Sequence, residues 1–354
     1  MTVRQGLRVI VATHMMVVGL SSHGIAATSS WKQKVEPAQQ SAVPVAKSNT
    51  QKPALEPDEK KNKKKNAVLE ASATSPDPAF AAFDSGHYVT ALERAQVAAK
   101  GGDPAAHTLI GRLLAEGLGV PKDLKEAAAW YRNGAELGDE NAAFSLGVMY
   151  ANGTGVEKNQ KVAADLFADA ANKGHIGATY NLSLAYLGGL GRTRDVKGGA
   201  ALMQRAAAAG NRNAQYDLGT LFALGQGVEK NLEKAAEWTG KAAQSGLVSA
   251  QLEYAILLFK GRGVPKDINR AAWFFLAAAE RGNPVAQNRL ARLYAVGVGV
   301  EQSRIEAAKW HILARSRGVS DFKLDVVISK LSNENKKEVE EKVAAWADRS
   351  LLTQ

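Results

Sequence analysis

Two stretches of the chain repeat almost the same phrase: "EGLGVPKDLKEAAAWYRNGAELG" at residues 116–138 and "KGRGVPKDINRAAWFFLAAAERG" at residues 260–282. Four more copies keep the same register, so the unit occurs six times at a period of 36 residues without an insertion. A fixed period of this length predicts an array of structural repeats. Because one such unit cannot bury its apolar face alone, the copies are expected to stack and share one core.

Each copy contains a Gly-x-Gly motif, which in some proteins marks a phosphate-binding loop. The pairs are Gly117/Gly119, Gly153/Gly155, Gly189/Gly191, Gly225/Gly227, Gly261/Gly263 and Gly297/Gly299. A phosphate loop needs a strand before the glycines, whereas the segment "NAQYDLGTLFALG" at residues 213–225 carries apolar residues at helical spacing. Glycine is favoured just past a helix C-terminus, where the backbone turns left-handed. The motif is therefore predicted to end a helix and not to bind a nucleotide.

A short polar residue follows each Gly-x-Gly pair and predicts the start of a second helix. These residues are Asp123, Asn159, Asp195, Asn231, Asp267 and Ser303. Their side-chain oxygens can accept a hydrogen bond from an N–H group that has no partner inside the helix. A single glycine closes each unit, from Gly138 to Gly318. Each unit is therefore predicted to contain helix A, a glycine turn, a capped helix B and a glycine stop.

The recurring positions follow the pattern A-x-x-x-L-G-x-x-Y-x-x-G-x-G-V-x-K-D-x-x-x-A-x-x-W-x-x-x-A-A-x-x-G, and this pattern resembles the Sel-1-like repeat family. The stretch "NAAFSLGVMYANGTGVEKN" at residues 141–159 fits it well. The resemblance implies an all-α fold, an α/α solenoid that forms a right-handed superhelix and is related to tetratricopeptide repeats. It also implies protein–protein interaction, often as an adaptor or regulator, and it does not imply a reaction.

Six Sel-1-like repeats are assigned to residues 105–320. A capping helix pair is predicted at residues 77–104 and capping helices at residues 321–354, because the ends of an array must cover an open apolar face. The third repeat departs most from the pattern, since Arg192 replaces the usual Val, Ser183 replaces the usual Gly, and "DVKGGAALM" is a weak helix B. Reduced local rigidity is expected there.

Residues 1–26 have the features of a signal peptide. Arg4 and Arg8 precede a short apolar run, and small residues follow up to Ala26. Cleavage after Ala26 is predicted, and an uncleaved N-terminal anchor is the alternative. The chain is therefore predicted to be exported, to a periplasmic or secreted location.

Residues 27–76 are predicted to be a disordered linker, because they are rich in Lys, Pro, Ala, Ser and Gln and lack aromatic residues after Trp31. The run "EKKNKKK" at residues 59–65 is interpreted either as a weak contact for anionic envelope surfaces or as a solvated, flexible run. The formal net charge of the chain is +10, but the first 76 residues carry most of it and leave +4 for the repeats and caps. No nucleic-acid binding is therefore expected.

The sequence shows no group of residues typical of a catalytic, metal-binding or cofactor-binding site. It contains no cysteine, and the four histidines outside the predicted signal peptide lie in different units without metal-ligand spacing. No nucleophile, base and orienting residue form a recognisable set. We predict that the chain is not an enzyme and binds no cofactor or metal. Trp130, Trp238 and Trp310, which recur at one repeat position, are interpreted as core residues.

A partner is expected on the A helices, which usually line the concave face of α/α solenoids. Columns that vary between repeats and lie three or four residues apart share one helix face. The predicted groove residues are Phe144, Tyr180, Asn181, Tyr216, Asp217, Glu253, Arg289 and Arg292. Exposed aromatics beside charged residues suit an extended peptide or a partner helix. The alternative is that some of these aromatics only pack between adjacent A helices.

The sequence is compatible with three hypotheses for the function. The leading hypothesis is a monomeric interaction scaffold or regulator that holds a peptide or partner protein in its concave groove at the end of a flexible tether. The second is a ligand sensor that binds a small envelope molecule. The third is a cell-wall-modifying enzyme, which would need a polar cluster that the sequence does not show.

Overall fold

The computed structural model describes residues 77–352 of the 354-residue chain, and within that range it contains sixteen α-helices and no β-strand. The first eight helices are α1 (Pro78–Asp84), α2 (Tyr88–Lys100), α3 (Pro104–Glu116), α4 (Leu124–Glu136), α5 (Glu140–Asn152), α6 (Gln160–Asn172), α7 (Ile176–Gly188) and α8 (Val196–Ala208). The other eight are α9 (Arg212–Leu224), α10 (Leu232–Gln244), α11 (Val248–Lys260), α12 (Ile268–Glu280), α13 (Pro284–Val296), α14 (Arg304–Ser316), α15 (Phe322–Ser329) and α16 (Asn333–Leu352). The predicted signal peptide and linker lie outside the described residues.

Helices α3 to α14 form six pairs, which confirms the predicted array of repeats. The odd-numbered members are the A helices and the even-numbered members are the B helices, and each has 13 residues. Each A helix packs against the B helix of its own repeat, and each B helix packs against the next A helix. A column of buried alanines allows this close approach: Ala106, Ala142, Ala178, Ala214, Ala250 and Ala286.

The turn between the two helices forms as the residue types predict. The first glycine of every pair ends helix A in the left-handed conformation, with φ between +67° and +74°. Its N–H bonds back to a carbonyl four residues earlier, as from Gly117 to Leu113 at 2.9 Å. All six predicted caps at the start of helix B accept backbone N–H groups, and Asp123 accepts two of them at 2.9 Å.

The second glycine of each pair lies at the junction between successive repeats. A Cβ atom on Gly155 would lie 2.2 Å from the carbonyl oxygen of Leu124, the first residue of the preceding B helix. On Gly191 it would lie 2.0 Å from the carbonyl oxygen of Gln160, the first residue of α6. The turn of one repeat therefore touches the first turn of the preceding B helix without room for a side chain.

The third repeat compensates for its unusual residues. In the first repeat a glycine on helix A makes room for an aromatic ring on helix B, since a Cβ on Gly111 would lie 2.8 Å from the Tyr131 ring. In the third repeat the small residue is on helix B instead, and Ser183 Oγ on helix A donates a hydrogen bond to the Gly199 carbonyl at 2.9 Å. Helix α8 consequently keeps the same length of 13 residues.

Helices α15 and α16 cover the C-terminal end of the array. His311 on α14 is buried, and its Nε2 lies 2.9 Å from Asp325 Oδ1 on α15, a hydrogen bond that holds the pKa of Asp325 below its usual range. On α16, Trp346 packs edge-on against the Trp310 ring and donates its Nε1–H to Glu280 Oε2 at 3.0 Å. The last helix therefore also reaches back to the fifth repeat.

The three tryptophans of the repeating column differ in burial. Trp310 is buried, as predicted. Trp130 and Trp238 pack against the core, as predicted, but their side chains stay partly exposed and are not fully part of it. None of the helices between residues 77 and 352 is long and apolar enough to cross a membrane.

Candidate functional site

The A helices present one stripe of side chains each, and we call the six stripes together the A-helix face. Their residues are spaced by four, three and four positions, which places them on one side of a helix. From the first to the sixth repeat they are Ala105/Leu109/Arg112/Glu116, Asn141/Ser145/Val148/Asn152, Gly177/Asn181/Leu184/Gly188, Asn213/Asp217/Thr220/Leu224, Ser249/Glu253/Ile256/Lys260 and Val285/Arg289/Arg292/Val296. Most of these side chains are exposed in the fifth and sixth repeats, which form the open part of the A-helix face.

Three residues that the sequence placed in an exposed groove are buried. Tyr180 is 2% exposed, Asn181 is 4% exposed and Asp217 is 1% exposed. The Tyr180 hydroxyl on α7 donates a hydrogen bond to Asp217 Oδ2 on α9 at 2.8 Å, which ties together the A helices of two repeats. These side chains hold the fold and cannot touch a partner directly, so the prediction that they line the groove is corrected.

The burial of this segment has a physical cause. Helix α7 reads IGATYNLSLAYLG and carries no charged residue, so apolar groups lie on all its sides. A helix with that composition is stable only when its neighbours cover it. Burial, with a smaller contribution from Asp217, raises the pKa of Tyr180 far above its ordinary value, so the hydroxyl stays protonated and remains a donor.

The other two predicted aromatics are half-buried between adjacent helices. Phe144 stacks on the His175 ring with centroids 4.3 Å apart and lies 6.0 Å from the Phe167 ring. Tyr216 packs against the core of the fifth repeat. Burial raises the pKa of Tyr216 to about 12, with the charges of Glu253 and Asp217 adding to the effect. The alternative interpretation, packing between A helices, therefore describes these aromatics better than an open groove does.

Apart from the buried Asp217, the charged residues of the predicted groove, Glu253, Arg289 and Arg292, are exposed, as expected. Glu253 and Arg289 occupy the same position in the fifth and sixth repeats, and neither forms a salt bridge with a described residue. Arg292 is different, because its Nε lies 2.5 Å from Asp321 Oδ2 on α15. Burial alone would raise the pKa of Asp321, but the hydrogen bond and charge of Arg292 outweigh it and hold that pKa below its usual range.

Two strongly exposed aromatic residues were missed at the sequence level. Trp273 on α12 is 60% exposed, and Phe322 at the start of α15 is 80% exposed. A signal for Trp273 was available, because the same repeat position otherwise holds small or charged residues: Ala129, Asp165, Ala201, Glu237 and Lys309. Phe322 lies outside the repeat register, and there only the structure shows that Leu324 enters the core while Phe322 does not.

Clefts also occur beside the B helices near the N-terminal end. One cleft of about 550 Å³ between the first and second repeats has an apolar floor and a rim of Arg132, Glu136, Asp169 and Lys173. Arg132 donates a hydrogen bond to the Tyr150 hydroxyl at 3.2 Å in this cleft. The rim carries both signs of charge and favours no one ligand class. Residues 77–352 contain no group of histidines and carboxylates that could hold a metal ion.

The stacked helix pairs, their glycine turns and their capping helices define the class of this protein as an α/α solenoid of helical repeats. The chain belongs to the Sel1 repeat family: the Sel1 repeat matches residues 104–139, 141–175, 176–211, 212–247, 248–283 and 284–319. Sel1 repeat proteins are generally scaffolds for protein–protein interaction. No curated protein matches the chain at a significant level.

Two solved structures show the same architecture. A Sel1 repeat protein from Oxalobacter formigenes is 30% identical with a TM-score of 0.59, and the match covers 70% of this chain and 100% of that one. The protein c5321, a protective antigen present in uropathogenic Escherichia coli strains and displaying an SLR fold, is 26% identical with a TM-score of 0.56. That match covers 82% of this chain and 71% of c5321.

Proposed function

We propose that this chain is an exported interaction scaffold that holds an extended peptide or a partner helix along the open part of the A-helix face. One observation carries the proposal. Glu253 and Arg289 lie at equivalent positions of successive repeats, have opposite charges, are exposed and form no salt bridge with any described residue. The fold does not use these charges, so they are free to pair with a partner.

The surroundings of these two residues favour binding of a peptide. Leu252 and Ile256 are half-buried beside Glu253 on α11 and supply apolar contact next to a charge. Apolar contact flanked by polar anchors is the usual composition of a peptide-binding surface. The supporting helices α11 and α13 are short, and each packs against the B helices on both sides of it. The surface is therefore already ordered before a partner arrives, which lowers the cost of binding.

The experiment is a site-directed photo-crosslinking of the full chain in an envelope extract of the producing cells. A photoreactive amino acid replaces Ile256, and the cross-linked protein is identified and its contact peptide mapped. The test variant is the charge exchange Glu253→Arg with Arg289→Glu, which keeps the net charge. The matched control exchanges the exposed residues Lys337→Glu and Glu340→Lys on α16.

One mapped partner peptide that is retained by the α16 control and lost from the Glu253/Arg289 exchange supports the proposal. Helicity of each variant is checked by circular dichroism, so that loss of fold is not mistaken for loss of binding. A cross-link that persists unchanged in the Glu253/Arg289 exchange would contradict the proposed surface. Absence of any cross-linked protein would favour the ligand-sensor hypothesis.

Export is supported by the first 26 residues, in which two arginines precede an apolar run and small residues. We propose a periplasmic or secreted location on this basis. Cell fractionation and N-terminal sequencing test it: the expected product begins near residue 27 and is found outside the cytoplasm. Recovery of the intact chain from the cytoplasm would contradict the proposal.

A further inference from the structure

The C-terminal end of the A-helix face carries an aromatic side chain that the fold leaves uncovered. Phe322 is the first residue of α15 and is 80% exposed, while Leu324, two residues on, is buried in the core. Burying a phenylalanine would remove a large apolar area from water. Phe322 contributes little of this to the fold, so most of its apolar surface is available to a partner.

A salt bridge attaches this aromatic residue to the A-helix face. The Asp321 carboxylate, directly before Phe322, lies 2.5 Å from Arg292 Nε on α13. The same carboxylate accepts the N–H of Lys323 at 3.1 Å and so starts α15. Arg292 shares its helix stripe with Arg289, one turn earlier, and with Val296, one turn later and 65% exposed. Phe322 is therefore anchored at the same end of the face as these residues.

The charge of this end is positive. The sixth repeat, residues 284–319, contains six Lys or Arg residues and two acidic residues. The first two repeats, residues 104–175, contain seven basic and nine acidic residues. Arg289 forms no salt bridge with a described residue, whereas Glu253 supplies a negative charge at the equivalent position one repeat earlier. The position that Glu253 holds in the fifth repeat therefore carries the opposite charge in the sixth, and the fifth repeat also presents the exposed Lys260 two turns further along its stripe.

From this arrangement we infer that the partner segment is a peptide with a basic residue, an acidic residue and an apolar residue in that spatial order. The basic residue pairs with Glu253, the acidic residue with Arg289, and the apolar side chain packs on Phe322. Side chains of successive A helices touch directly, as in the Tyr180–Asp217 hydrogen bond, so we take the spacing of these helices to be that of packed helices, about 10 Å. An extended peptide advances about 3.3 Å per residue. The basic and acidic residues are accordingly about three positions apart. The inference rests on the proposed function, because it specifies the partner of the same surface.

The test compares two labelled synthetic peptides of identical composition, with the cores KAAEAL and EAAKAL, by fluorescence anisotropy with the full chain. The first places the acidic residue next to the apolar one, and the second exchanges the charges. We expect the first to bind at least about tenfold more tightly. In the Glu253→Arg/Arg289→Glu variant the preference reverses, because both charge pairs become repulsive for the first peptide and attractive for the second.

Phe322→Ala is expected to weaken binding of the first peptide about fivefold or more, as truncation of a central aromatic contact does. Its thermal stability is expected to stay unchanged, since the side chain is outside the core. The matched control is Trp273→Ala, which removes another exposed aromatic from a B helix and should leave binding unchanged.

Equal affinities for the two peptides, no binding of either, or a Phe322→Ala variant that binds as the wild type does would overturn the inference. The proposed function still holds in that case if cross-linking from position 256 identifies a partner and the Glu253/Arg289 exchange abolishes that cross-link. Failure of that cross-linking experiment removes the proposed function as well. The two failures can therefore be told apart.

Discussion

The glycine at each repeat junction allows a sharp test of how the array is held together. Gly191 has φ +70°, and a Cβ atom there would lie 2.0 Å from Gln160 O, 2.3 Å from Gln160 C and 2.6 Å from Lys161 N. Gly189, two residues earlier, has nearly the same φ of +69°, but its Cβ would lie 3.3 Å from the nearest atom, Arg194 Cβ. Alanine therefore strains the backbone equally at both positions and collides with a neighbouring repeat only at Gly191.

The expected losses follow from these two contributions. Alanine in the left-handed conformation costs about 1–2 kcal/mol, so Gly189→Ala should lower the free energy of unfolding by about that amount. Gly191→Ala adds the cost of forcing two packed segments apart, about 1–3 kcal/mol for an overpacked site. Its total loss is about 2–5 kcal/mol. The change in entropy of the unfolded chain is the same for both substitutions and cancels in the comparison.

The assay is urea unfolding of the full chain, followed by far-UV circular dichroism. Gly191→Ala should also broaden or split the transition, because a weakened junction between the second and third repeats uncouples the two sides of the array. Equal losses for the two variants, or a larger loss for Gly189→Ala, would refute the argument that the second glycine is required by contact between repeats.

Three further predictions concern single side chains. Tyr180→Phe removes the hydrogen bond to Asp217 and should lower the free energy of unfolding by about 1–3 kcal/mol in urea. His175 Nδ1 accepts the N–H of Ala178, and burial lowers the pKa of His175. The folded protein should therefore lose stability as the pH falls below the ordinary histidine pKa of about 6.5. Thermal melts recorded above and below that pH should show this loss in the wild type and not in His175→Asn. Asp267→Ala should cost about 1 kcal/mol through loss of the α12 cap, whereas Asp267→Asn should cost less in the same assay.

The burial of Tyr180 changes how a binding test must be designed. Truncating Tyr180 and Tyr216 together would have been the natural test of an aromatic groove. With Tyr180 buried and bonded to Asp217, and Tyr216 half-buried against the next repeat, that double variant is expected to lose stability instead. Glu253 and Arg289 are better targets, because their side chains are exposed and can be exchanged without opening the core.

The helix boundaries could be predicted from sequence because their causes are local. A glycine that must adopt positive φ, and an Asp, Asn or Ser that accepts N–H groups two or three residues on, act within one turn of the chain. Their recurrence at a period of 36 residues then implied stacking, since one helix pair cannot bury its own apolar face. The array of six repeats could therefore be predicted from the sequence alone.

The exposure of the candidate surface could not be predicted in the same way. Tyr180 and Tyr216 occupy the same repeat position, and so do Asp217 and Glu253, yet the structure buries Tyr180 and Asp217, leaves Tyr216 half-buried and exposes Glu253. Burial at these positions depends on side chains from the adjacent repeats, which lie 36 residues away in sequence. The sequence by itself therefore determined the helices and their repetition, because those follow from short-range backbone chemistry. Only the tertiary structure decided which parts of the A-helix face stay open, because packing between neighbouring repeats sets how much of each side chain water can reach.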